Sequence, residues 1–404
     1  YDTYVRNDKS YLKLGIDIKF IKIFFISIVK ILNTFALIKK YNFEFILASS
    51  SVYATYSSIS ARIAINKNIK VIEPYIASGT SSLSYIVYDS KNKYKNTYDN
   101  PLYNQLKKRF FNETKKIKNS TLNNFIEKRF KGKIKPSWTG LHDIKNAIRK
   151  ETYLTRSQLI KKYNLDSKKI KKIVVIASHA FSDASHNDGD ILFIDYYHHL
   201  LETVKFLSTI KTKNILWIVR PHPSSHLYEE QGIVENIMKK YKNKYLKLCP
   251  KINIKNLIEI CDHSVTCTGR ISLEFACYGK KSILAGSNQL SDYGLFENNK
   301  SKNEYFKKLK NISKIKSLSV NKIILAKKLL YFLDNFQPSI ILTKSKLLTN
   351  KLLKNSEDAI KNALYIDKNI IKQIVKISPK KISFYVDPLF KDLKEKISRD
   401  EKLV

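Results

Sequence analysis

Short apolar runs alternate with longer amphipathic stretches along this chain, and the two periods predict different elements. Residues 16–38 form the most apolar early segment, broken by Lys19, Lys22 and Lys30. Without an uninterrupted span of about 20 apolar residues it reads as an amphipathic, partly buried helix rather than a membrane helix. Residues 43–50 (FEFILASS) predict a strand, a Ser/Tyr-rich turn leads to a helix through Arg62, and residues 69–73 (IKVIE) predict the next strand, ended by Pro74. That is a β-α-β unit, the grammar of a parallel sheet. Residues 76–100 are polar and read as loop. Helical patterning follows through Phe110, Phe111, Phe125, Ile126 and Phe130, is broken by residues 131–137 (KGKIKPS), and returns in a short helix over 155–163.

A second alternation starts at Lys172. Strands are predicted at 173–177, 215–219, 245–249, 263–267 and 282–285, with helices at 191–210, 229–240, 254–261 and 270–278 between them. The five successive apolar or aromatic residues of 215–219 read as a strand buried on both faces. Five strands alternating with helices predict a doubly wound domain. Beyond residue 300 the chain is rich in Lys, Leu and Ile and reads as helical. No repeat of fixed period is visible. The fold class expected is therefore α/β with two Rossmann-like domains, the C-terminal one a doubly wound parallel sheet, followed by a helical C-terminal region. Boundaries fall at 1–165, 166–300 and 301–404, within 404 residues, long enough for two sizeable cores. The chain opens on Tyr1 rather than Met, which reads as a trimmed or incomplete start.

Three loops should converge, because each follows the carboxyl end of a strand, where open α/β sheets bind ligands. The stretch after 215–219 is Arg220-Pro221-His222-Pro223-Ser224-Ser225. Its prolines fix φ on both sides of His222 and remove two backbone donors, so the imidazole sits on a stiff loop. Arg220, His222, Ser224 and Ser225 suit an anionic, phosphate-bearing ligand; the plain alternative is a rigid turn with a solvated arginine. After strand 173–177, residues 178–190 hold two His and three Asp in thirteen positions. Asp183 suits a base or nucleophile, and His179 and His186 suit phosphate binding or proton shuttling. Asp190 reads as the N-cap of the following helix. The third loop, Thr268-Gly269-Arg270-Ile271-Ser272, opens a helix whose free N–H groups suit a phosphate, with Glu274 placed to accept from ribose hydroxyls. Tyr293, in Asp292-Tyr293-Gly294, either covers the site or belongs to an ordinary turn.

The formal net charge of +39 invites a nucleic-acid partner, yet the lysines are spread along the chain without a recognition helix or zinc-finger pattern. No nucleic acid is expected; the charge fits anionic lipid, acidic glycan or nucleotide. Cys249, Cys261, Cys267 and Cys277 lack metal or disulfide spacing and read as buried thiols of a reducing cytosol. No signal peptide is visible.

The order SHAFSDASH, a helix, VRPHPSS, then CDHSVTCTGRISLEFACYGKKSILAG with a trailing YG resembles capsule and surface-polysaccharide biosynthesis proteins of the two-Rossmann glycosyltransferase type, GT-B. It is also similar to bacterial polysialyltransferases and Kdo transferases, which use CMP-activated donors. The likeness covers roughly residues 168–295, with weaker echoes in YDTYVR at the start and KRFKG at 128–132. It implies an N-terminal acceptor-side domain and a nucleotide-sugar-binding second domain. It further implies that His222 contacts the nucleotide and that hydroxyls after a later strand hold its phosphate. One departure is that Gly269 is followed by Arg270 and Ile271, where another small residue is usual. The function expected is transfer of a sugar from a nucleotide donor, CMP-linked before UDP-linked, onto a surface glycan or its lipid-linked precursor. No cofactor is expected. The enzyme would be cytoplasmic, with peripheral contact to the anionic inner face of the membrane.

No Asp-x-Asp pair stands where a metal-bound diphosphate would need it, because Asp188-Gly189-Asp190 opens a helix in the other half of the site. Fixed cations and a helix dipole would stabilise the leaving phosphate instead. Two other readings stay open. One is a metal-dependent hydrolase using His179, Asp183, His186 and His222; the other is a basic nucleic-acid-binding protein. Should Asp183 prove a loop cap, Asp2, Glu73 and Glu113 are the next candidates for the reactive carboxylate.

Overall fold

The computed structural model describes residues 17–41, 43, 45–48, 55–76, 83–88, 110–131, 153–183, 185–186, 190–210, 212–288 and 290–335, whose strands form two sheets. The first follows a long helix, α1 (Ile18–Lys40), and contains β1 (Phe45–Leu47), α2 (Tyr56–Asn66), β2 (Lys70–Ile76) and β3 (Leu83–Tyr88). β1 and β2 are parallel, as the β-α-β pattern requires. A reciprocal capping box starts α2: Thr55 Oγ1 accepts from Ser58 N–H at 3.2 Å, and Ser58 Oγ accepts from Thr55 N–H at 3.1 Å. Ala61, Ala64 and Ile65 of α2 bury against Ala48 and Val71 in a small core.

Two expectations are corrected in this unit. Pro74 does not end β2, which runs on to Ile76 and pairs antiparallel with β3, so residues 83–88 are strand rather than loop. Beyond Ile72 the pairing with β1 stops, leaving β2 one neighbour, the situation in which a strand tolerates proline. α1 is not partly buried in the manner expected of an amphipathic helix. It is long and apolar enough to cross a membrane, and Thr34 is its one fully buried side chain.

The second sheet is built from β4 (Lys172–Ala177), β5 (Ile215–Arg220), β6 (Leu246–Leu248), β7 (His263–Thr266) and β8 (Ser282–Leu284). Its order is β6-β5-β4-β7-β8 with every pair parallel. This is the 3-2-1-4-5 order of a doubly wound fold, and its switch point lies between β4 and β7. Register places Ile173 beside Leu216 and Val175 beside Ile218. The period of two along each strand then divides the core in two. Ile173, Val175, Leu216 and Ile218 face a layer built from α3 (Asn119–Phe130), α4 (Arg156–Lys162), α7 (Ile254–Ile260), α8 (Ile271–Ala276) and α10 (Val320–Asn335). Val174, Ile176, Trp217 and Val219 face α5 (Tyr196–Thr209), α6 (Ile233–Lys240) and α9 (Lys302–Lys310). At about 1.5–3 kcal/mol per fully buried large side chain, these two layers dominate the stability of the chain.

Phe110, Phe125, Ile126, Phe130, Leu159 and Ile160 share one core with β4, β5 and α10. Tyr305, Leu309 and Ile312 pack in the opposite layer. Residues 336–404, expected to be helical, lie outside the described residues, as do Asp2 and Asp188.

Candidate functional site

β5, β4 and β7 are neighbours in the sheet, so the loops leaving their carboxyl ends meet above the switch point. His179 follows β4 by two residues. Its Nε2 accepts from Thr268 N–H at 3.3 Å and lies 3.1 Å from Thr266 Oγ1. A nitrogen that accepts from an amide carries no proton, so the threonine hydroxyl donates to it and the proton sits on Nδ1. Thr266 Oγ1 in turn accepts from Gly269 N–H at 3.3 Å. The imidazole stacks on Tyr196 with centroids 4.0 Å apart and planes 15° apart, and Tyr196 Oη lies 3.2 Å from Thr268 Oγ1. Burial, and then the neighbouring His222, hold His179 well below the ordinary histidine value, so it is neutral. His179 is thus an acceptor that shapes the turn after β7. A Cβ at Gly269 would stand 2.6 Å from Thr266 Oγ1 and 3.4 Å from His179 Nε2, which is why glycine occupies this turn.

The β5 loop turns on its own backbone. Ser178 N–H donates to Arg220 C=O at 3.0 Å, tying the starts of two loops together. Ser225 N–H donates to His222 C=O at 3.0 Å, and Ser224 N–H donates to His222 Nδ1 at 3.3 Å, so the proton of neutral His222 is on Nε2. Arg220, His222, Ser224 and Ser225 are all half-buried. No carboxylate pairs with Arg220 among the described residues.

Glu230, which sequence reasoning passed over, locks the β4 loop to the β5 loop. Its buried carboxylate accepts from Phe181 N–H at 2.8 Å, from Ser182 N–H at 2.7 Å and from Ser182 Oγ–H at 2.8 Å. Burial raises its pKa, the three donors pull it back, and the result remains above the ordinary carboxylate value. Asp183, one residue on, is exposed and accepts from Tyr228 Oη–H at 3.4 Å. His186 is exposed, with Nδ1 3.3 Å from Ser185 Oγ.

Other residues of the third loop are engaged inside the fold. Ser272 is fully buried and donates to Gly269 C=O at 2.8 Å. Glu274 pairs with Arg129 of α3 at 2.9 Å; Arg129 also pairs with Asp334 of α10 at 2.8 Å, and Arg270 pairs with Asp334 as well. Their charges clamp α3 and α10 onto α8. Tyr293 packs its ring edge-on against Phe110 at 5.8 Å, and burial lifts its phenol to about 12. Asp190 does not cap α5. Asp195 does, accepting from His198 N–H at 2.7 Å, while Asp190 C=O accepts from Ser287 N–H at 2.9 Å and lies 2.0 Å from where a Cβ at Gly286 would stand.

The structure therefore brings His179, Thr266, Thr268, Gly269 and Tyr196 into one cluster with His222 beside it. Asp183, Tyr228 and Glu230 lie along the seam between the β4 and β5 loops. Among the described residues no three of His, Cys, Asp or Glu come together as a metal set. The hydrolase reading built on His179, Asp183, His186 and His222 is not supported. All four cysteines are free and buried.

No family model matches this chain, and no curated protein matches it. Among solved structures, it is similar to the Thermosulfurimonas dismutans KpsC beta Kdo 2,7 transferase, with 15% identity, 73% of this chain and 79% of that chain covered, and a TM-score of 0.36. The T. dismutans KpsC beta Kdo 2,4 transferase aligns at 14% identity, covering 68% and 85%, with a TM-score of 0.32. The S. aureus MnaA–UDP co-structure aligns at 11% identity, covering 76% and 75%, also with a TM-score of 0.32. At these scores no residue role is transferred from them.

Proposed function

We propose that this protein is a glycosyltransferase that holds the nucleotide of its sugar donor in the crevice between the loops after β4, β5 and β7. The observation that carries this reading is the meeting of the Pro-held His222 loop with the His179–Thr266–Thr268–Gly269 cluster at the switch point of the sheet. Arg220 supplies positive charge, and His222 Nε2–H and the Ser224 and Ser225 hydroxyls supply donors, for a phosphate. Thr268 and Gly269 border the same space. His179 is neutral and already saturated as an acceptor, so it positions the turn rather than moving a proton. Asp183, exposed on the β4 loop, is the candidate in this reading for taking a proton from an acceptor hydroxyl. The resemblance of the loop sequences to Kdo transferases and polysialyltransferases favours a CMP-linked donor and a surface glycan or glycolipid acceptor.

A thermal-shift panel tests the reading. CMP, or failing that UDP, raises the melting temperature by mass action, and chelator leaves that shift unchanged. If divalent metal stabilises the protein while neither nucleotide does, the transferase reading is wrong.

A further inference from the structure

α1 has its polarity inside out. Its covered positions are Phe20, Ile23, Ser27, Ile28, Lys30, Thr34 and Ile38, and all but Ile28 follow one stripe. That stripe includes hydroxyls turned back on the helix, Ser27 to Ile23 C=O and Thr34 to Lys30 C=O, each at 2.8 Å. Contacts to α2 include polar ones: Thr34 Oγ1 lies 3.4 Å from Ser60 Oγ, Asn33 Nδ2–H donates to Tyr56 Oη at 3.4 Å, Lys30 sits over the Tyr56 ring, and Lys67 over the Phe35 ring. Most of the large apolar side chains are nevertheless left exposed. Phe24, Phe25 and Leu32 are 55%, 60% and 61% exposed, and Val29 and Leu37 are exposed beside them. A surface helix facing water carries the opposite arrangement.

We infer that α1 is an interfacial anchor that lies in the plane of an anionic bilayer with its apolar face in the acyl region. Charge identifies the occupant. The helix carries five lysines, Lys19, Lys22, Lys30, Lys39 and Lys40, and no acid, in a chain of net charge +39. Anionic headgroups complement that face, whereas a second copy would set the same lysines against themselves. Packing decides between lying and spanning. At 23 residues, about 35 Å, α1 has the length to cross. Its second half is fastened to α2, however, which exposes Tyr56, Arg62, Asn66 and Lys67. Crossing would draw those groups into hydrocarbon. Lying flat leaves them in water and lets the helix lysines extend to the headgroups. The inference stands independently of the donor chemistry.

Sedimentation of the full chain with vesicles tests it. Vesicles containing about 30% phosphatidylglycerol bind the protein, and neutral phosphatidylcholine vesicles bind it far less. About 0.5 M salt weakens the binding. Phe25→Glu with Leu32→Glu lowers the bound fraction by about tenfold or more while leaving the melting temperature unchanged, because both side chains are already exposed. Lys39→Glu with Lys40→Glu lowers binding to the anionic vesicles alone. Alkaline carbonate releases the wild type. The inference is overturned if the protein ignores both vesicles, if either double variant binds like wild type, or if the chain resists carbonate and so spans. A dimer that dissociates on Phe25→Glu with Leu32→Glu, in protein that binds no vesicles, overturns it in favour of a second copy.

Discussion

Replacing Glu230 by Gln tests how the β4 and β5 loops are held together. The carboxylate has two acceptor oxygens serving three buried donors: Oε2 takes Phe181 N–H, and Oε1 takes both Ser182 N–H and Ser182 Oγ–H. Glutamine keeps one oxygen. If it occupies the Oε1 position, the amide –NH2 is turned toward Phe181 N–H and two donors face each other without water. One buried donor left unmade costs about 1–3 kcal/mol. Loss of charge from the two surviving bonds costs about 1 kcal/mol more, since charged acceptors hold roughly twice as strongly. Burial, which raises the Glu230 pKa, works in the other direction, because glutamine carries no charge to desolvate. A net loss of about 2–3 kcal/mol follows. Denaturant unfolding measures the global part of that loss. Hydrogen exchange at Phe181 and Ser182 measures the local part, separating loop opening from whole-domain unfolding. If the unfolding free energy changes by less than about 0.5 kcal/mol, and both amides stay protected, the carboxylate is not the tie between the loops.

Three further outcomes are expected. Asp334→Asn leaves Arg129 and Arg270 facing each other without their shared carboxylate and should cost about 3–5 kcal/mol in chemical unfolding; a near-neutral result would show that Glu274 alone holds the clamp. His199 is buried and its pKa falls to about 3, against an unfolded value of about 6.5, so the folded state binds fewer protons between those values. Stability is then whole above about pH 6.5 and falls by up to about 1.4 kcal/mol per unit as pH drops toward 3. His179 and His263, also lowered by burial, add to the fall, and His199→Gln should flatten it; an unchanged slope would refute the assignment. His222→Ala should mainly weaken nucleotide affinity, while Asp183→Asn should lower turnover by about a hundredfold with affinity retained. If Asp183→Asn turns over normally and melts early, Asp183 is a loop cap, and Glu113 is the next carboxylate to test.

The strands of the second sheet were legible because each is a short apolar run closed by a turn residue, and five such runs between helices leave few topologies open. β3 was not, because LSYIVY mixes hydroxyls into the apolar positions and owes its strand to pairing with β2. The start of α5 was misplaced for a related reason. Asp190 and Asp195 both precede apolar helix-like sequence, but a bridge between Ile191 and Gly286 holds the residues between them out of the helix. No local pattern marks that constraint. The helical period of α1 was readable, yet periodicity cannot say which side of a helix its neighbours will cover.

Long-range pairing limits the reading of the site in the same way. Arg270 and Glu274 stand in sequence where a phosphate and a ribose would need them, but their partners are Asp334 and Arg129, far away along the chain. Scarcity is the signal that could have found such ties. The chain has 35 acidic residues against 74 basic ones, so water-exposed cations can do without carboxylates and buried carboxylates have definite tasks. Asp195 caps α5, Asp334 joins α3, α8 and α10, and Glu230 fastens two loops. Asp183 departs from that pattern. It is exposed on the loop that Glu230 fastens through Phe181 and Ser182, and it accepts from Tyr228 of the β5 loop. Asp183→Asn keeps the shape of that side chain and removes its charge, so turnover and melting temperature measured together separate a reactive carboxylate from a structural one.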